Sequence, residues 1–249
     1  MPKLSAFLIT RNEEADIENC LKSLKDLSDE IILVDDNSSD KTVEIAKRFG
    51  ARISSRTLDG FAAQKQYALD QTTGEWAFSI DADERVTPEL AVEIRNVLEQ
   101  PSSADAYYVR RNFYFLGRRL RYGGLGNDWV LRLFRRSKGH FKPVKVHESI
   151  EVSGNTARLR APLEHYSYSS ISEYIEKSNH YTTLAAQDMW ARGRRCSPLD
   201  FLRPGWELFN RVVLKSAWMD GRPGMMYAAF SSHTAWVRAM KLWEIQQRG

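Results

Sequence analysis

Short apolar runs alternate with helical patterns through the first hundred residues of this 249-residue chain. The runs Leu4–Thr10 and Glu30–Val34 are bounded by polar residues, and residues 13–27 between them carry apolar side chains at helical spacing. The pattern then repeats, with helices expected at 39–49, 61–71 and 88–98 and strands at 51–54 and 75–80. Strands that alternate with helices over this length predict an α/β fold built on a sheet covered by helices.

Polar residues follow the first two expected strands at the points where those strands end. Thr10, Arg11 and Glu13 follow the first strand, and Asp35 and Asp36 follow the second. Ligands of open α/β sheets bind at the carboxyl ends of strands. Carboxylates at these positions suit a base or ribose edge, because they accept hydrogen bonds from N–H and O–H groups. Neither a dinucleotide-binding glycine motif nor a P-loop motif occurs, so Rossmann dehydrogenases and P-loop enzymes are disfavoured.

The apolar run 76–80 ends in three carboxylates within four residues, Asp81, Asp83 and Glu84. Asp81 and Asp83 lie where the chain leaves the strand, so that both can turn toward one cation. Mg²⁺ or Mn²⁺ held by one or two carboxylates and by substrate phosphates is a common arrangement at nucleotide sites. The alternative is an acidic turn that only caps the helix beginning near Thr87.

Three ordered motifs, at residues 9–14, 34–42 and 81–83, resemble the successive motifs of the family 2 (GT-A) inverting glycosyltransferases. The resemblance implies the GT-A fold, a Rossmann-like mixed sheet with helices on both faces, with a nucleotide-sugar half at residues 1–110. It also implies a UDP-sugar donor and a divalent metal, Mg²⁺ or Mn²⁺. The site residues that it implies are Thr10, Arg11 and Glu13 in the nucleotide pocket, Asp35 or Asp36 at the uracil, Lys65 near the uracil or diphosphate, Asp81 near the ribose or metal, and Asp83 as metal ligand.

Residues 111–168 are expected to form the acceptor-binding and catalytic half. Residues 129–135 alternate in polarity and predict a strand, on which Arg132 faces away from Trp129. Arg132 could bind a phosphate through two parallel hydrogen bonds. The alternatives are an exposed strand face for Arg132 and, similarly, an exposed helix position for Lys65.

The segment Val146-His147-Glu148 resembles the His-Glu segment of the lipopolysaccharide-core glucosyltransferase subgroup. An inverting transfer needs one general base to deprotonate the acceptor hydroxyl. Glu148 is the first candidate, His147 the second and Asp128 the third. The resemblance also places His165 at an active-site histidine, where an imidazole nitrogen could complete a metal shell. A structural role is the alternative for His165.

Charge is segregated along the chain, although the net charge is only +4. Residues 1–105 are acidic overall, whereas 106–145 and 190–249 are basic. The basic blocks suggest an anionic partner, with solvated surface charge as the alternative. A nucleic acid is disfavoured, because the acidic half would repel a polyanion and no nucleic-acid motif occurs.

The compartment is expected to be the cytoplasm. Cys20 and Cys196 are the only cysteines, which is too few for a disulfide framework. The first apolar run passes directly into charged residues, unlike a signal peptide, and no uncharged apolar run is long enough for a transmembrane helix.

Residues 169–249 are expected to form a helical extension. Five of the seven tryptophans lie beyond residue 189, interleaved with arginine and lysine. Basic, aromatic-rich amphipathic helices suit an anionic membrane surface, on which they lie without spanning it. A lid packed on the core and an oligomer interface are the alternatives, and the oligomeric state stays open.

The subgroup resemblance covers nearly the whole chain and implies transfer of glucose, in β linkage, to heptose of the lipopolysaccharide inner core. The expected location is peripheral, on the cytoplasmic face of the inner membrane. Another acceptor, such as a peptide or an exopolysaccharide lipid intermediate, is an alternative. A non-catalytic nucleotide- or lipid-binding scaffold is a second one.

Overall fold

The computed structural model describes residues 3–99, 104–142 and 150–248. The strands are β1 (Leu4–Thr10), β2 (Glu30–Asp35), β3 (Arg52–Ser55), β4 (Trp76–Ser79), β5 (Glu84–Val86), β6 (Ala106–Phe115), β7 (Arg118–Leu120), β8 (Asp128–Arg135), β9 (Gly139–Phe141), β10 (Ile150–Val152), β11 (Thr156–Arg158) and β12 (Leu163–Tyr168). The α-helices are α1 (Ile17–Leu24), α2 (Thr42–Arg48), α3 (Phe61–Asp70), α4 (Pro88–Glu99), α5 (Ile171–Ala191), α6 (Arg203–Phe209) and α7 (Gly221–Arg248). The elements expected from the sequence of the first hundred residues are all present, with shorter helices at several ends.

The main sheet has the strand order β3-β2-β1-β4-β8-β6-β12-β5. Its first four strands are parallel, and β8 then pairs antiparallel with both β4 and β6. The sheet is therefore mixed, as the GT-A expectation requires. The parallel part brings the ends of β1, β2 and β4 to one edge, since the carboxyl ends of neighbouring parallel strands meet there.

The chain forms two compact units. The first comprises residues 1–111 and 128–165, and the second residues 112–127 and 166–249. The division expected from the sequence, into 1–110, 111–168 and 169–249, stays a prediction.

The first unit buries both faces of its central strands. On β1, Leu8 packs in a cluster with side chains of α1, α2 and α4, whereas Phe7 packs in another with α3, Phe134 and Phe141. Side chains of a strand alternate between the two faces, so this division places helices on both sides of the sheet. Phe7 contacts Phe134 and Phe141 edge-on, with ring centroids 6.2 and 6.1 Å apart. Burial of these apolar side chains is the main favourable contribution to folding.

The second unit is built on the helices α5 and α7. Ser170 caps α5 by accepting a hydrogen bond from Glu173 N at 3.1 Å, as the sequence suggests. Thr234 on α7 lies 2.9 Å from both Tyr174 and Ser178 of α5, oxygen to oxygen. An aromatic cluster around Phe113, Phe115 and Tyr174 forms the core. Among the described residues, no helix combines the length and the apolar character that crossing a membrane requires.

Candidate active site

The loops after β1 and β2 are joined by side-chain hydrogen bonds at the sheet edge. Thr10 donates to Asp35 Oδ1 at 3.1 Å, and Ser38 donates to the same carboxylate through its backbone N at 2.8 Å and its Oγ at 2.5 Å. Asn12 and Asn37 take positive φ angles of 54° and 52°, a conformation that asparagine tolerates better than most residues. Asp35 is thereby buried and fixed by the protein, and the expectation that Asp35 or Asp36 contacts the uracil stays a prediction.

Asp36 is also buried and engaged on both oxygens. Leu58 N donates to its Oδ1 at 3.0 Å, and Arg11 donates to its Oδ2 at 3.1 Å. The Arg11 side chain is exposed, with 68% of its surface accessible. Glu13 accepts from Asp16 N and Ile17 N through its backbone carbonyl and so begins the turn into α1. The structure therefore brings Arg11, Glu13, Asp35 and Asp36 to the same edge of the sheet as Thr10.

Asp81 lies between two cations directly after β4. Lys65 Nζ donates to Asp81 Oδ1 at 2.9 Å, and Arg132 Nη2 donates to Oδ2 at 2.5 Å. Lys65 and Arg132 are 6% and 5% exposed, so both exposed-surface alternatives are wrong. Strand register explains the contact, because Leu133 pairs with Phe78 and so Arg132 lies next to the end of β4.

Burial raises the pKa of the Asp81 carboxyl, but the charges of Arg132 and Lys65 outweigh it and hold that pKa well below the usual range. The carboxylate is therefore ionised in the folded protein at neutral pH. Both of its oxygens are committed to protein cations. The expected place of Asp81 near a ribose or a metal stays a prediction.

Glu84 extends the ion pairs into a network. It is fully buried, and its Oε1 accepts from Arg132 and, at 3.2 Å, from Arg111. Its Oε2 accepts from Asp81 N at 3.0 Å. Arg111 also binds Asp128 Oδ2 through Nε at 2.8 Å and Nη2 at 2.7 Å. Three carboxylates and three cations, Lys65 included, therefore form one continuous chain without net charge.

Asp83 contacts a different side chain. His165 Nε2 lies 3.4 Å from Asp83 Oδ2, and the two side chains are 15% and 19% exposed. Antiparallel pairing of β12 with β5 explains the approach, because His165 lies opposite Glu84, the neighbour of Asp83. Carboxylate oxygen and imidazole nitrogen together are a donor set that Mn²⁺ accepts. Among residues 3–99, 104–142 and 150–248, no group of three or more His, Cys, Asp or Glu side chains is placed to hold a metal ion.

The first two candidates for the base, Glu148 and His147, lie outside the described residues. Asp128, the third candidate, begins β8 and pairs with Arg111 across to β6. Its two hydrogen bonds from Arg111 both reach Oδ2, and among the described residues Oδ1 has no partner. Arginine thus holds one oxygen of Asp128 in place.

Glu84 and Arg111 belong to this network, although neither was assigned a role from the sequence. Glu84 directly follows the acidic pair, and its burial depends on β5 pairing with β12, which is remote in sequence. Arg111 lies in the basic part of the chain at the register position opposite Asp128. Acids on β5 and β8 pair with arginines on β6 and β8. These pairs could be predicted from the sequence only if the strand pairing were known.

Residues 5–167 match the model of glycosyl transferase family 2. The chain belongs to this family. The lipopolysaccharide core biosynthesis glycosyltransferase LpsC of Rhizobium meliloti is 33% identical to it over 98% of this chain and 94% of its own. An uncharacterized glycosyltransferase of Rickettsia typhi is 27% identical over 98% of this chain and 88% of its own.

These comparisons confirm the predicted family, and the chain is a glycosyltransferase. The GT-A fold with a helical C-terminal extension is confirmed as well. Among solved structures, a Mycobacterium tuberculosis glucosyl-3-phosphoglycerate synthase in complex with Mn²⁺, UDP and glucosyl-3-phosphoglycerate is similar with a TM-score of 0.39. It is 25% identical over 45% of this chain and 44% of that one.

Proposed function

We propose that this glycosyltransferase moves glucose from UDP-glucose to a heptose of the lipopolysaccharide inner core, with inversion at the anomeric carbon. The observation that carries the proposal is the sheet edge at which Asp83 with His165 lies beside the buried chain of ion pairs around Asp81. The full-length similarity to LpsC supports the lipopolysaccharide acceptor, since that relative carries lipopolysaccharide core biosynthesis in its name.

Asp83 and His165 are the residues that would hold a divalent cation, Mn²⁺ or Mg²⁺. Their separation of 3.4 Å permits one ion to bind an oxygen of the first and a nitrogen of the second. Two protein ligands suit a cation whose other ligands are water and the donor diphosphate. The bound cation would supply charge stabilisation for the departing diphosphate. Asp81 is not needed as a ligand, because Lys65 and Arg132 already neutralise it.

Lys65 and Arg132 would stabilise negative charge on the donor. Arg132 makes both ion pairs through Nη2, and its buried Nε has no hydrogen-bond partner among the described residues. A guanidinium fixed in this way holds its positive charge in place at the sheet edge and needs no reorganisation when negative charge develops nearby. Thr10, Arg11 and Glu13, with Asp35 and Asp36, would shape the nucleoside end of the same edge.

Glu148 would act as the base. The acceptor hydroxyl oxygen forms a bond to the anomeric carbon while the bond from that carbon to the diphosphate oxygen breaks. The hydroxyl proton passes to the carboxylate, and the bonding electrons leave with UDP. Asp128 is the alternative base, supported by its open Oδ1, and His147 would orient the carboxylate. Glu148→Gln and Asp128→Asn distinguish the two, since only removal of the base lowers kcat and spares UDP affinity.

The acceptor is a lipid-linked saccharide, so the enzyme would work at the cytoplasmic face of the inner membrane as a peripheral protein. A different acceptor, a peptide or an exopolysaccharide lipid intermediate, would use the same donor chemistry. A non-catalytic scaffold is the remaining alternative. The intact acidic pair, Asp81 and Asp83, and the candidate base Glu148 favour catalysis over it.

The decisive experiment is a donor screen with purified inner-core acceptor and Mn²⁺, followed by NMR of the product. We expect UDP-glucose to be turned over fastest and the new linkage to be β. Turnover with an α linkage would contradict inversion. Transfer to another acceptor alone would contradict the lipopolysaccharide assignment, and no release of UDP from any donor would favour the scaffold.

A further inference from the structure

The segment from residue 198 to residue 220 exposes apolar side chains in a regular row. It runs from a 3₁₀ turn through α6 into a single π-helical stretch at 210–214 and a final 3₁₀ turn at 217–220. Exposed apolar residues recur along it every three or four positions, at Leu199, Leu202, Trp206, Phe209 and Val213. Their accessible fractions are 71, 68, 60, 47 and 52%. Trp206 and Phe209 are three positions apart on α6 and share one face of that helix, with Leu199 and Leu202 before them and Val213 after them. We call these five residues the apolar stripe.

The polar groups of this segment are directed to partners within its own unit. Asp200 is buried and accepts from Ser197 N at 2.9 Å and from Arg194 at 2.6 Å. Asp220 accepts from the backbone N atoms of Arg121 and Tyr122 at 2.9 and 2.8 Å. These anchors hold the segment in place by its polar side. The fold therefore holds the stripe in an exposed position, and its exposure does not come from a segment that lacks contacts.

The exposed charge around the stripe has one sign. Between residues 189 and 222 the exposed charged residues are all cationic: Arg192, Arg194, Arg195, Arg203, Lys215 and Arg222. The three acids of the same stretch, Asp200, Glu207 and Asp220, are buried or half-buried, and each has a partner. Three of the six cations have acid partners, Arg192 with Asp188 and both Arg194 and Arg203 with Asp200. The stretch still carries more cations than acids, and an apolar face beside a surplus of exposed cations fits a surface that is apolar inside and anionic outside.

A second copy of the chain fits this face poorly. A twofold dimer would bring the same patch against itself, so that the surplus of exposed cations on one copy would meet the same surplus on the other. A lipid surface has the opposite charge and accepts the apolar row between its headgroups. Trp206 and Trp218, both about 60% exposed, are the residue type that favours the headgroup region.

We propose that the apolar stripe is the element that docks the enzyme on an anionic lipid bilayer, lying in the plane of the headgroups with its row of side chains inserted. The proposal rests on the peripheral location proposed above and assigns that location to residues 198–220.

The test compares Val213→Asp with Val92→Asp in the full-length protein. Val213 and Val92 are both valines in helical segments and are 52% and 53% exposed, but Val92 lies on α4 of the first unit. Binding is measured by flotation with phosphatidylglycerol–phosphatidylethanolamine vesicles and with neutral phosphatidylcholine vesicles. We expect Val213→Asp to lower partitioning onto anionic vesicles about tenfold, Val92→Asp to leave it unchanged, and the wild type to bind neutral vesicles weakly.

Equal binding by the wild type and Val213→Asp would overturn the proposal. Loss of a concentration-dependent dimer in Val213→Asp, measured by analytical ultracentrifugation, would overturn it in favour of a second copy. A fallen melting temperature in Val213→Asp would show that the side chain packs inside the protein, which also overturns it. Leu202→Asp repeats the test on a second position of the stripe.

Transfer to a deacylated inner-core acceptor separates this proposal from the proposed function. That acceptor needs no membrane, so Val213→Asp should glycosylate it at the wild-type rate. Normal transfer with unchanged vesicle binding would overturn only the docking assignment. Absent transfer in the wild type, with vesicle binding lost in Val213→Asp, would overturn only the proposed function.

Discussion

Charged residues of a folded protein are usually exposed and large apolar residues are usually buried. The sheet edge of the first unit and the segment 198–220 of the second depart from this rule in opposite ways. At the sheet edge, Glu84 and Arg132 are charged and almost wholly buried. In the segment, Leu199 and Trp206 are apolar and mostly exposed. Charged residues are almost never fully buried unless they are paired, and a contiguous exposed apolar face is equally uncommon.

Each exception is held in place by its surroundings. Burying a charge is costly unless ion pairs and hydrogen bonds compensate, and the network from Lys65 to Asp128 supplies them. The exposed face is held by Asp200 and Asp220 from behind. Such local departures from an otherwise consistent fold are expected at functional sites. The difference shows that the first unit compensates buried charge by pairing it, whereas the second holds apolar side chains outward, and each proposal above rests on one of these two exceptions.

The largest expected effect is on catalysis at the sheet edge. Asp83→Ala should lower kcat at least about a hundredfold, because charge stabilisation of the departing diphosphate is lost. Release of UDP from UDP-glucose with Mn²⁺ and acceptor measures it. If Asp83→Ala were as active as the wild type, Asp83 would have no role in catalysis, and the proposed metal site beside the buried network would be wrong.

Breaking the buried network should chiefly lower stability. Arg132→Met leaves Asp81 and Glu84 without their shared cation, and we expect the free energy of unfolding to fall by about 3–5 kcal/mol. Urea denaturation provides the measurement. Arg11→Met is the control, since Arg11 is exposed and its ion pair with Asp36 is worth about 0–1 kcal/mol. Equal losses in the two variants would show that burial does not distinguish the sheet edge.

A smaller loss in the free energy of unfolding is expected when an apolar residue of the second unit is truncated. The loss should depend on whether that residue is buried or exposed. Leu242 on α7 is fully buried, and Leu242→Ala should cost about 2–5 kcal/mol. Leu202→Ala, at a position 68% exposed, should change the free energy of unfolding by less than about 0.5 kcal/mol. A comparable cost at Leu202 would mean that the stripe is part of the packed core.

The smallest expected effect is a pH dependence in the anchor of the stripe. Burial raises the pKa of Asp200, but hydrogen bonds from Ser197 and the charges of Arg194 and Arg203 outweigh it, so that this pKa is lowered. The stabilisation is therefore complete above the unfolded pKa of about 4 and is lost as the pH falls through the lowered folded value.

Asp200→Asn removes the titrating group. The difference in unfolding free energy between the wild type and this variant should shrink as the pH falls from about 5 to about 2. Denaturation curves at a series of pH values measure it. A difference that is constant over this range would show that ionised Asp200 does not anchor the segment.

The sheet edge formed by the ends of β1, β2 and β4 was predictable from the sequence because its signals are local. The strand ends at Thr10, Asp35 and Asp81 follow recognisable apolar runs, and helices alternate with those strands. The chain of ion pairs was not predictable in the same way. Glu84 meets Arg111 and Arg132 only through pairing between strands distant in sequence, and no local pattern states which strands are neighbours.

The extension illustrates a second limit. Composition indicated basic, aromatic helices, but the exposed face depends on which side chains α7 covers. Trp218 and Phe209 are exposed, whereas Leu242 is fully buried, although all three are large apolar residues in the same basic stretch. Hydrophobicity alone does not separate a core face from a docking face.

The central claim is that Asp83 binds the metal ion, whereas Asp81 pairs with Lys65 and Arg132. The most direct test is Mn²⁺ binding in the presence of UDP, measured by electron paramagnetic resonance. Asp83→Asn should weaken Mn²⁺ binding at least about tenfold, since it removes a ligand. Asp81→Asn should weaken it far less, because Asp81 is held by Lys65 and Arg132. Strong loss in Asp81→Asn with unchanged binding in Asp83→Asn would contradict the account.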